Sequence, residues 1–255
     1  MTDRVAVVSG AGGTIGGACA RALAARRDLV ICADVDARRA ERTAQAITAA
    51  GSRADVVVAD ASAAAFAETV VRSVPDGSVV TAAVHAVAHE EHVPAVQVSD
   101  DSMRRSLTMG PLAAFSLFRE LLCSGYVTRG SALTAIGSLH ARYPFVNCLG
   151  YNAGHGALAQ VIRTLAHEWA DLGVRVNSVV PGWIRTDGET ALYGDEHLDR
   201  VATRLPFGRF GSAQDIANAV EFLSSDAASY ISGSFLTVDG ALAVSLARLP
   251  DGGDA

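Results

Sequence analysis

The chain has 255 residues, half of them apolar, and a formal net charge of −6 at pH 7. This length and composition suffice for one large α/β domain with a sizeable core. There is no run of basic residues and no interleaving of basic with aromatic residues, so the sequence argues against a nucleic-acid partner. No apolar run reaches membrane-spanning length. All 21 residues of the Lys and Arg class are arginine, so no lysine ammonium is available for chemistry.

The four cysteines, Cys19, Cys32, Cys123 and Cys148, lie far apart and form no C-x-x-C pair. Separated, reduced thiols of this kind are typical of cytosolic proteins. The N-terminal residues lead directly into an apolar strand and show no signal-peptide pattern. We therefore predict a cytoplasmic protein.

The first chemical signal is a glycine-rich turn after a β-branched run at residues 4–8. The turn consists of Ser9, Gly10, Ala11, Gly12, Gly13, Thr14, Ile15 and Gly16. A helical pattern follows at residues 18–26. Strand, glycine-rich turn and helix in this order let the backbone approach a pyrophosphate, which then faces the free N–H groups of the helix N-terminus. A plain tight turn is the structural alternative.

Two acidic residues end the next two predicted strands. Asp34 follows a strand at residues 29–33, about 20 residues after the glycines, where a carboxylate binds a ribose diol and repels a 2′-phosphate. We therefore expect NAD(H) to be preferred over NADP(H), although Arg38 and Arg39 follow closely and soften this preference. Asp60 ends a strand at residues 56–60 and either accepts from an adenine amino group or caps a helix starting near Ser62.

The middle of the chain has an acid–base layout formed by Ser138, Tyr151 and His155. Tyr151 and His155 are one helical turn apart and share a face if this segment is a helix. A strand at residues 132–136 delivers Ser138. A phenol with a pKa of ~10 is a poor proton carrier at neutral pH unless a neighbouring cation lowers that pKa, and His155 is the candidate cation. A buried tyrosine and a helix-surface histidine are the structural alternative.

Residues 85–92 contain three histidines and two glutamates, but their spacing does not match the helical H-E-x-x-H zinc motif. We predict a polar loop at the carboxyl edge of the sheet and no metal. Aromatic and cationic side chains are the expected substrate contacts, namely His85, His89, His140, Arg142, Tyr143 and Trp183. Phe145, Tyr193 and Leu205 are expected beside them. This mixture suits a mid-sized, partly aromatic or oxygenated substrate.

Strand and helix patterns alternate along the whole chain. Further strands are predicted at 78–84, 174–180 and 234–238, and helices at 37–50, 99–123, 150–171 and 213–223. This alternation predicts an α/β fold, with a single doubly wound parallel sheet (Rossmann-like) and helices on both faces. One domain is expected over residues 1–248, with a polar, irregular lid at about 187–207 and a flexible tail at 249–255.

Together these residues resemble the short-chain dehydrogenase/reductase family from Val5 to about Val244. The turn at 9–16 is similar to the family's T-G-x-x-x-G-I-G, with Thr14 where the middle glycine is usual. The R-V-N at 175–177 and P-G-W-I-R-T at 181–186 look like its R-V-N…P-G-x-x-x-T block. D-I-A at 215–217 and V-D-G at 238–240 match its C-terminal signatures.

The resemblance implies a bound nicotinamide cofactor. The implied cofactor-binding residues are Ser9, Gly10, Gly12, Gly13, Thr14, Ile15, Gly16, Asp34, Asp60, Ala61, Pro181, Gly182, Ile184 and Thr186. Of these, the Ile184 backbone and the Thr186 hydroxyl would hold the nicotinamide carboxamide.

The implied activity is NAD(P)-dependent interconversion of a ketone and a secondary alcohol. Tyr151 would act as general acid/base, Ser138 would hold the carbonyl oxygen, and His155 would orient the ribose and tune Tyr151.

The resemblance also implies a homotetramer or dimer, paired through the helices at 99–123 and 150–171. The apolar residues of these helices exceed what one sheet face needs. They are Leu112, Phe115, Leu117, Leu158, Val161 and Leu165.

The sequence departs from the family pattern in its proton-transfer residues. The family's Y-x-x-x-K reads Y-x-x-x-H at residues 151–155, its N-N-A-G reads V-H-A-V at 84–87, and its helix asparagine falls at about Leu107. In the family, the lysine binds the ribose hydroxyls and lowers the pKa of the tyrosine, and the asparagine holds a water that continues the proton relay. Either His155 is a working replacement, or the protein is not a redox enzyme.

Two non-redox readings stay open. One is a cyclase, dehydratase or isomerase that uses His85, His140 or His155 as a base. The other is a non-catalytic nucleotide-binding scaffold.

Overall fold

The computed structural model describes residues 2–245, and the tail predicted at 249–255 lies outside them. The strands are β1 (Arg4–Ser9), β2 (Leu29–Asp34), β3 (Ala54–Val58), β4 (Val79–His85), β5 (Ala132–Ile136), β6 (Arg175–Pro181) and β7 (Phe235–Val238). The α-helices are α1 (Thr14–Ala24), α2 (Ala37–Ala49), α3 (Phe66–Val71), α4 (Asp100–Leu107), α5 (Ala113–Cys123), α6 (Leu149–Glu168), α7 (Asp187–Tyr193), α8 (Asp195–Ala202), α9 (Ala213–Leu223) and α10 (Leu242–Ser245).

The seven strands form one parallel sheet in the order β3-β2-β1-β4-β5-β6-β7. The chain winds outward from β1 in one direction and from β4 in the other, so the strand order reverses between these two strands. This confirms the predicted single doubly wound α/β fold. In such sheets a ligand binds at the carboxyl ends of the strands, at the point of reversal.

Both faces of the sheet are covered by helices. On one face Val5 and Val7 pack with residues of α3, α5 and α6, and on the other Ala6 and Val8 pack with residues of α1 and α9. All four side chains are fully buried. Because both faces are covered, the central strands β1 and β2 are almost continuous apolar runs and do not alternate apolar with polar residues.

The helix predicted at 99–123 is interrupted, and this part of the prediction is wrong. Between α4 and α5 lies one π-helical turn, Thr108–Leu112, with Pro111 inside it. Proline has no backbone N–H and its ring clashes with the carbonyl four residues earlier, so a regular α-helix does not continue through it. The wider turn turns the Gly110 backbone toward the site described below.

The lid predicted as irregular is also different in the structure, because it contains two helices, α7 and α8. The Thr186 hydroxyl caps α7 by accepting a hydrogen bond from the Glu189 N–H at 3.1 Å. Arg185 contacts Asp195 and Asp199 at 2.6 and 2.7 Å, which ties α8 to the end of β6. The cap and these ion pairs order a segment whose polar composition alone indicates a loop.

The helix surfaces expected to form a subunit interface are largely buried within the chain itself. Leu117, Leu158 and Leu165 are at most 4% exposed and belong to the core, so the argument that they exceed the needs of one sheet face is wrong. Leu112 is 52% exposed. The oligomeric state therefore stays a prediction.

Within residues 2–245, no helix is both long enough and apolar enough to cross a membrane.

All four cysteines are free, and Cys123 is the exposed one. Burial raises the pKa of the Cys19 and Cys32 thiols to about 12, which keeps these two cysteines protonated and unreactive.

Candidate active site

The glycine-rich turn connects β1 to α1 and has the shape that a phosphate cradle requires. Gly10 has a φ of +78°, and a Cβ on Gly16 would overlap the Gly10 carbonyl. Gly13 stands at the N-cap of α1, and no side chain caps it. The first N–H groups of α1 are therefore free to bind an anion, and the turn fits a dinucleotide pyrophosphate.

Asp34 lies beside this turn, as the sequence predicts. Its carboxylate accepts hydrogen bonds from the backbone N–H groups of Gly12 (2.8 Å) and Asp36 (2.9 Å). Arg39 donates to the Gly12 carbonyl at 3.1 Å, so one guanidinium also borders the position of an adenine ribose.

Asp60 lies beyond the end of β3, which stops at Val58 and not at residue 60 as predicted. Its Oδ1 accepts from the Ser62 N–H (2.8 Å) and hydroxyl (2.7 Å), and these hydrogen bonds lower the pKa of the Asp60 carboxyl. These bonds close a local turn. They do not cap a helix, because α3 begins only at Phe66. The other carboxylate oxygen is not used there, and the neighbouring Ala61 is buried.

The P-G block follows β6 and forms the opposite wall of the crevice. A Cβ on Gly182 would lie 2.6 Å from the Asp239 Cα, so glycine is needed for the close approach of β6 to the end of β7. Ile184 is buried and forms a β-bridge with Gly211. Beyond it, the Asp187 N–H donates to the Thr14 hydroxyl at 3.3 Å, which joins the lid to the glycine-rich turn.

Ser138, Tyr151 and His155 come together at the carboxyl end of β5. Ser138 follows that strand in an extended conformation, and its Oγ accepts from the His140 N–H at 3.2 Å. Tyr151 lies in the first turn of α6, and its ring centroid is 4.3 Å from that of His155. The Ser138 hydroxyl is also close enough to the Tyr151 phenol to lower its pKa. The structure therefore places all three predicted residues in one cluster.

Tyr151 is a neutral phenol at neutral pH. Burial is the main cause that raises its pKa, and the negative charge of Glu90 acts in the same direction. The nearby Ser138 hydroxyl opposes these effects, and its influence on the pKa is smaller. A neutral phenol can donate a proton but is not ready to accept one.

His155 differs from the cation that the sequence predicts. The side chain is 5% exposed, and neither ring nitrogen has a hydrogen-bond partner in the described chain. Burial lowers the pKa of His155 to about 3, with smaller contributions from His140 and His85. The imidazole is therefore neutral throughout the physiological range and does not make Tyr151 more acidic.

A small cavity of about 10 Å³ adjoins these two rings. It is lined by Ala88, His89, Ser106, Gly110, Tyr151, Gly154 and His155. Two helical residues face Tyr151 and His155 here, Ser106 of α4 and Gly110 of the π-turn. Leu107, where the family resemblance places the helix asparagine, is 37% exposed and is not among the residues that line this cavity. No amide side chain is available at this position.

His85, one of the expected substrate contacts, is enclosed by the protein. It ends β4 and has no exposed surface. Its Nδ1 is 2.8 Å from the Ser9 hydroxyl, and its Nε2 is 2.9 Å from the Met109 carbonyl. Burial lowers the pKa of His85 to about 4, so this neutral ring joins β1 and β4 to the π-turn beneath the site.

His140 forms an aromatic wall beside Tyr151, with the ring centroids 4.8 Å apart. Its Nδ1 is 2.7 Å from the Asn152 Oδ1, and Phe145 stacks on it at 4.3 Å. Burial lowers the pKa of His140, which makes this ring neutral too. Asn152, which fixes the ring, was not singled out from the sequence.

The other expected substrate contacts differ in position. Trp183 is half-buried and packs edge-on against Phe210 at 5.1 Å. Arg142 is exposed, with its guanidinium 5.6 Å from the Tyr143 ring centroid. The expected cation therefore lies outside the cluster around Tyr151.

Two carboxylates that the sequence did not single out lie near Tyr151. Glu189 lies on α7 near Trp183, and its Oε2 is buried without a partner in the described chain. Burial, its largest influence, raises the pKa of the Glu189 carboxyl. Glu90 pairs with His92 at 2.9 Å. The charges of Glu90 and Glu189 both act on Tyr151, so the rim of the site is acidic. The Thr-x-x-Glu spacing at 186–189 is a capping signal that could have indicated α7.

A second cavity, of about 360 Å³, lies behind the 181–186 loop and does not include Ser138, Tyr151 or His155. It is lined mainly by residues of the 183–215 and 237–242 segments. Among residues 2–245, no three His, Cys, Asp or Glu side chains converge as metal ligands.

Comparison with known proteins identifies the family. Residues 10–242 match the family described as enoyl-(acyl carrier protein) reductase. The chain is 36% identical over 250 residues to a galactitol 2-dehydrogenase (L-tagatose-forming) of Cereibacter sphaeroides, and the alignment covers 94% of each chain. The chain belongs to the short-chain dehydrogenase/reductase family.

Two further similarities concern sugar acids. The chain is 35% identical over 148 residues to a 2-dehydro-3-deoxy-D-gluconate 5-dehydrogenase of Pseudoalteromonas atlantica, an alignment that spans 58% of either chain. A solved structure from Beutenbergia cavernae superposes with a TM-score of 0.85 at 32% identity, covering 96% of this chain and 98% of that one. That short-chain dehydrogenase/reductase relative is named as a candidate NAD(P) dependent gluconate 5-dehydrogenase with bound NADP at low occupancy.

Proposed function

We propose that this short-chain dehydrogenase/reductase interconverts a ketone and a secondary alcohol of mid-sized substrates with a nicotinamide cofactor. The observation that carries this proposal is the cluster of Ser138, Tyr151 and His155 at the carboxyl end of β5. It lies in the same crevice as the glycine-rich turn and the 181–186 loop. A nicotinamide cofactor held there would supply or accept the hydride.

Two side chains handle the substrate oxygen. The Ser138 hydroxyl donates a hydrogen bond to the carbonyl oxygen beside the Tyr151 phenol. Tyr151 then donates its proton to that oxygen as negative charge develops on it. Because burial keeps the phenol neutral, the site is ready for ketone reduction near neutral pH.

His155 serves as a neutral replacement for a lysine. An imidazole N–H can donate to a hydroxyl of the nicotinamide ribose, while the ring packs on Tyr151 and excludes bulk water. It supplies no positive charge, so alcohol oxidation, which needs the phenolate, requires alkaline pH.

The preferred cofactor is NAD(H). The Asp34 carboxylate ends β2 beside the glycine-rich turn, where it repels a 2′-phosphate. Arg39, which borders the same position, opposes this preference.

Titration of the protein with NADH and NADPH, followed by quenching of its tryptophan fluorescence, tests the assignment. Tighter binding of NADPH refutes it, and Arg39→Ala is expected to weaken NADPH binding more than NADH binding.

The substrate is a neutral, hydroxyl-rich or carbocyclic ketone, not a carboxylate. Glu90 and Glu189 act on Tyr151 with negative charge, and Arg142, the predicted cationic contact, lies outside the cluster. Of the relatives, the one named for galactitol handles a substrate of this charge.

The activity is tested by absorbance change of the nicotinamide in the presence of ketoses, polyols and cyclic ketones. Tyr151→Phe is expected to abolish reduction and oxidation while cofactor binding persists. Tyr230→Phe is the matched control, because that side chain is fully exposed.

The alternative is proton-transfer chemistry by a histidine, and His140 favours it because its neutral ring also faces Tyr151. Full activity of Tyr151→Phe together with loss of activity in a His140 or His155 variant would establish that alternative.

A further inference from the structure

We propose that His140 determines substrate specificity, because its Nε2 accepts a hydrogen bond from a hydroxyl group on the carbon next to the substrate carbonyl. The preferred substrates are then α-hydroxyketones, and vicinal diols in the direction of oxidation. This inference rests on the proposed function and narrows its substrate class. Asn152 is a positioning residue in it, since it acts on the substrate only through His140.

The first step is the orientation of the Asn152 amide. Its Nδ2 donates to the Phe145 carbonyl oxygen at 2.9 Å. A carbonyl oxygen only accepts hydrogen bonds, so the amide nitrogen and oxygen cannot be exchanged. The Phe145 N–H lies 3.5 Å from the amide oxygen, which agrees with this orientation. The atom of Asn152 that faces His140 is therefore Oδ1.

The second step is the tautomer of His140. Asn152 Oδ1 also only accepts, and it lies 2.7 Å from His140 Nδ1, so Nδ1 carries the proton. The ring is neutral because burial lowers the pKa of His140 by more than Asn152 and Glu90 raise it. A neutral imidazole with its proton on Nδ1 has a lone pair on Nε2. This nitrogen is therefore an acceptor and not a donor.

The third step is the surroundings of Nε2. Within residues 2–245 this nitrogen has no hydrogen-bond partner, and unlike the two nitrogens of His155 it is not closed off by the protein. Phe145 is stacked on the ring, and the Tyr151 ring stands at 88° to it. Asn152 occupies the Nδ1 side. The edge of the half-buried ring that carries Nε2 is thus the part left open to the crevice.

The fourth step is the position of His140 relative to the substrate carbonyl. The His140 N–H donates to Ser138 Oγ at 3.2 Å, and the ring centroid is 4.8 Å from that of Tyr151. Ser138 and Tyr151 are the two residues that would donate to the carbonyl oxygen. An acceptor this close to both donors can reach only substituents near the carbonyl carbon, and we assign it to the adjacent carbon.

The donors and the acceptor together select one substituent. A hydroxyl beside the carbonyl donates to Nε2, whereas a methylene leaves this nitrogen without a partner and a fluorine directs a lone pair at it. A site that hydrogen-bonds a substrate hydroxyl discriminates against the analogue that lacks it, because the polar group of the protein is then left unpaired.

Specificity is tested by reduction of 2-hydroxycyclohexanone and 2-fluorocyclohexanone by wild type and His140→Phe. Phenylalanine keeps the aromatic contact with Phe145 but has no acceptor. We expect the ratio of kcat/KM for the hydroxyketone to that for the fluoroketone to fall on the order of tenfold in the variant, the size of one net hydrogen bond. Comparing ratios between the two proteins cancels the higher intrinsic reactivity of the fluoroketone.

Asn152→Leu is the second variant, since it keeps the imidazole but removes the group that fixes its tautomer. The same ratio should fall in this variant too. His167→Phe is the matched control, because His167 is exposed near the end of α6, and it should keep the wild-type ratio. If His140→Phe has the wild-type ratio, His140 does not bind the hydroxyl.

A measurement without turnover separates this inference from the proposed function. Nitrogen NMR of the histidine-labelled full chain at pH 7.5 should show His140 as a neutral ring with its proton on Nδ1, assigned by loss of the signals in His140→Phe. With NAD⁺ present, which cannot reduce a ketone, 2-hydroxycyclohexanone should shift the Nε2 signal and 2-fluorocyclohexanone should not. A proton on Nε2, or equal shifts with both ketones, overturns the inference. Absence of turnover with any ketone and NADH or NADPH is a different result, which counts against the proposed function.

Discussion

Burial keeps two neighbouring side chains of α6 neutral, the His155 imidazole and, one turn before it, the Tyr151 phenol. Burial lowers the pKa of His155 to about 3 and raises the pKa of Tyr151. The sequence shows which residue types meet on this face of α6, since their spacing follows from the helix. It does not show their protonation states, because these depend on burial and on side chains such as His85 and Glu90 that are distant in the sequence.

The first prediction exchanges the neutral ring for a cation. His155→Lys would place an ammonium beside Tyr151 and lower the pKa of the phenol, because an opposite charge stabilises the phenolate. The pH at which alcohol oxidation sets in should then be lower, by about one pH unit for each ~1.4 kcal/mol of phenolate stabilisation. Paired rate–pH profiles for both directions measure this.

His155→Gln is the control for that experiment, since an amide is polar but uncharged. Its oxidation profile should stay where the wild-type profile lies. If the lysine variant folds, binds cofactor and leaves the oxidation profile unmoved, His155 does not set the acidity of Tyr151.

At the scale of elements, strand and helix positions follow the sequence closely, and the misses have local causes. The strand at 132–136 and the helix at 213–223 have the predicted bounds. The predicted helix at 99–123 hides a π-turn, which the Gly110-Pro111 pair could have indicated. The segment predicted as a lid contains two helices, since its polar composition indicates a loop whereas the Thr-x-x-Glu cap at 186–189 indicates a helix. The burial of single polar side chains does not follow from the local sequence pattern. Arg142 is exposed, whereas His85 is fully buried.

The second prediction concerns the contact between α6 and α4. A Cβ on Gly154 would lie 2.8 Å from the Ser106 carbonyl oxygen, a backbone atom that cannot turn away. Gly154→Ala should therefore lower the free energy of unfolding by about 1–3 kcal/mol. Gly156→Ala is the matched control in the same helix, where a Cβ meets nothing within 4 Å, and it should stabilise by about 0.5–1 kcal/mol. Urea unfolding measures both, and equal effects of the same sign would contradict this reading of the interface.

The third prediction concerns the acidic rim formed by α7. The Glu189 carboxylate has a buried, unpartnered oxygen near Tyr151, so it repels a carboxylate substrate. Glu189→Gln should raise kcat/KM for gluconate relative to galactitol on the order of tenfold, about 1.4 kcal/mol.

Glu196→Gln is the control, because that carboxylate is 92% exposed on α8. It should leave the ratio unchanged. A wild-type enzyme that prefers the sugar acid would already refute the neutral-substrate assignment.

At the scale of the whole molecule, the fourth prediction is self-association. The family resemblance implies a homotetramer or dimer, and the exposed Leu112 and Leu149 lie near the junctions of the helices expected to pair. Light scattering at micromolar concentration should return a multiple of the 26.3 kDa chain mass. A mass of one chain would contradict the prediction, and so would pairing through other surfaces shown by cross-linking.

The last prediction concerns the stability of the whole fold in acid. His155 and His85 have a reference pKa of 6.5, and burial lowers these values in the folded chain to about 3 and about 4. The unfolded chain thus takes up protons as the pH falls through 6.5, whereas the folded chain does not until the pH is near 4 and 3. The stability from keeping the rings neutral is full above pH 6.5 and is lost as the pH falls below it.

Each of the two rings should lower the free energy of unfolding at pH 5 by on the order of 2 kcal/mol. This follows from ~1.4 kcal/mol for each pH unit below the reference pKa of the imidazole. Urea unfolding at pH 7.5 and pH 5, at one protein concentration so that association does not differ, should show the loss. His155→Gln should lose about 2 kcal/mol less than wild type over this range, since it removes one of the two rings that must charge on unfolding. The exposed His167→Gln variant should lose as much as wild type. Equal stability of wild type at the two pH values would mean that these imidazoles titrate alike in the folded and unfolded chain, and the neutral site described above would then be wrong.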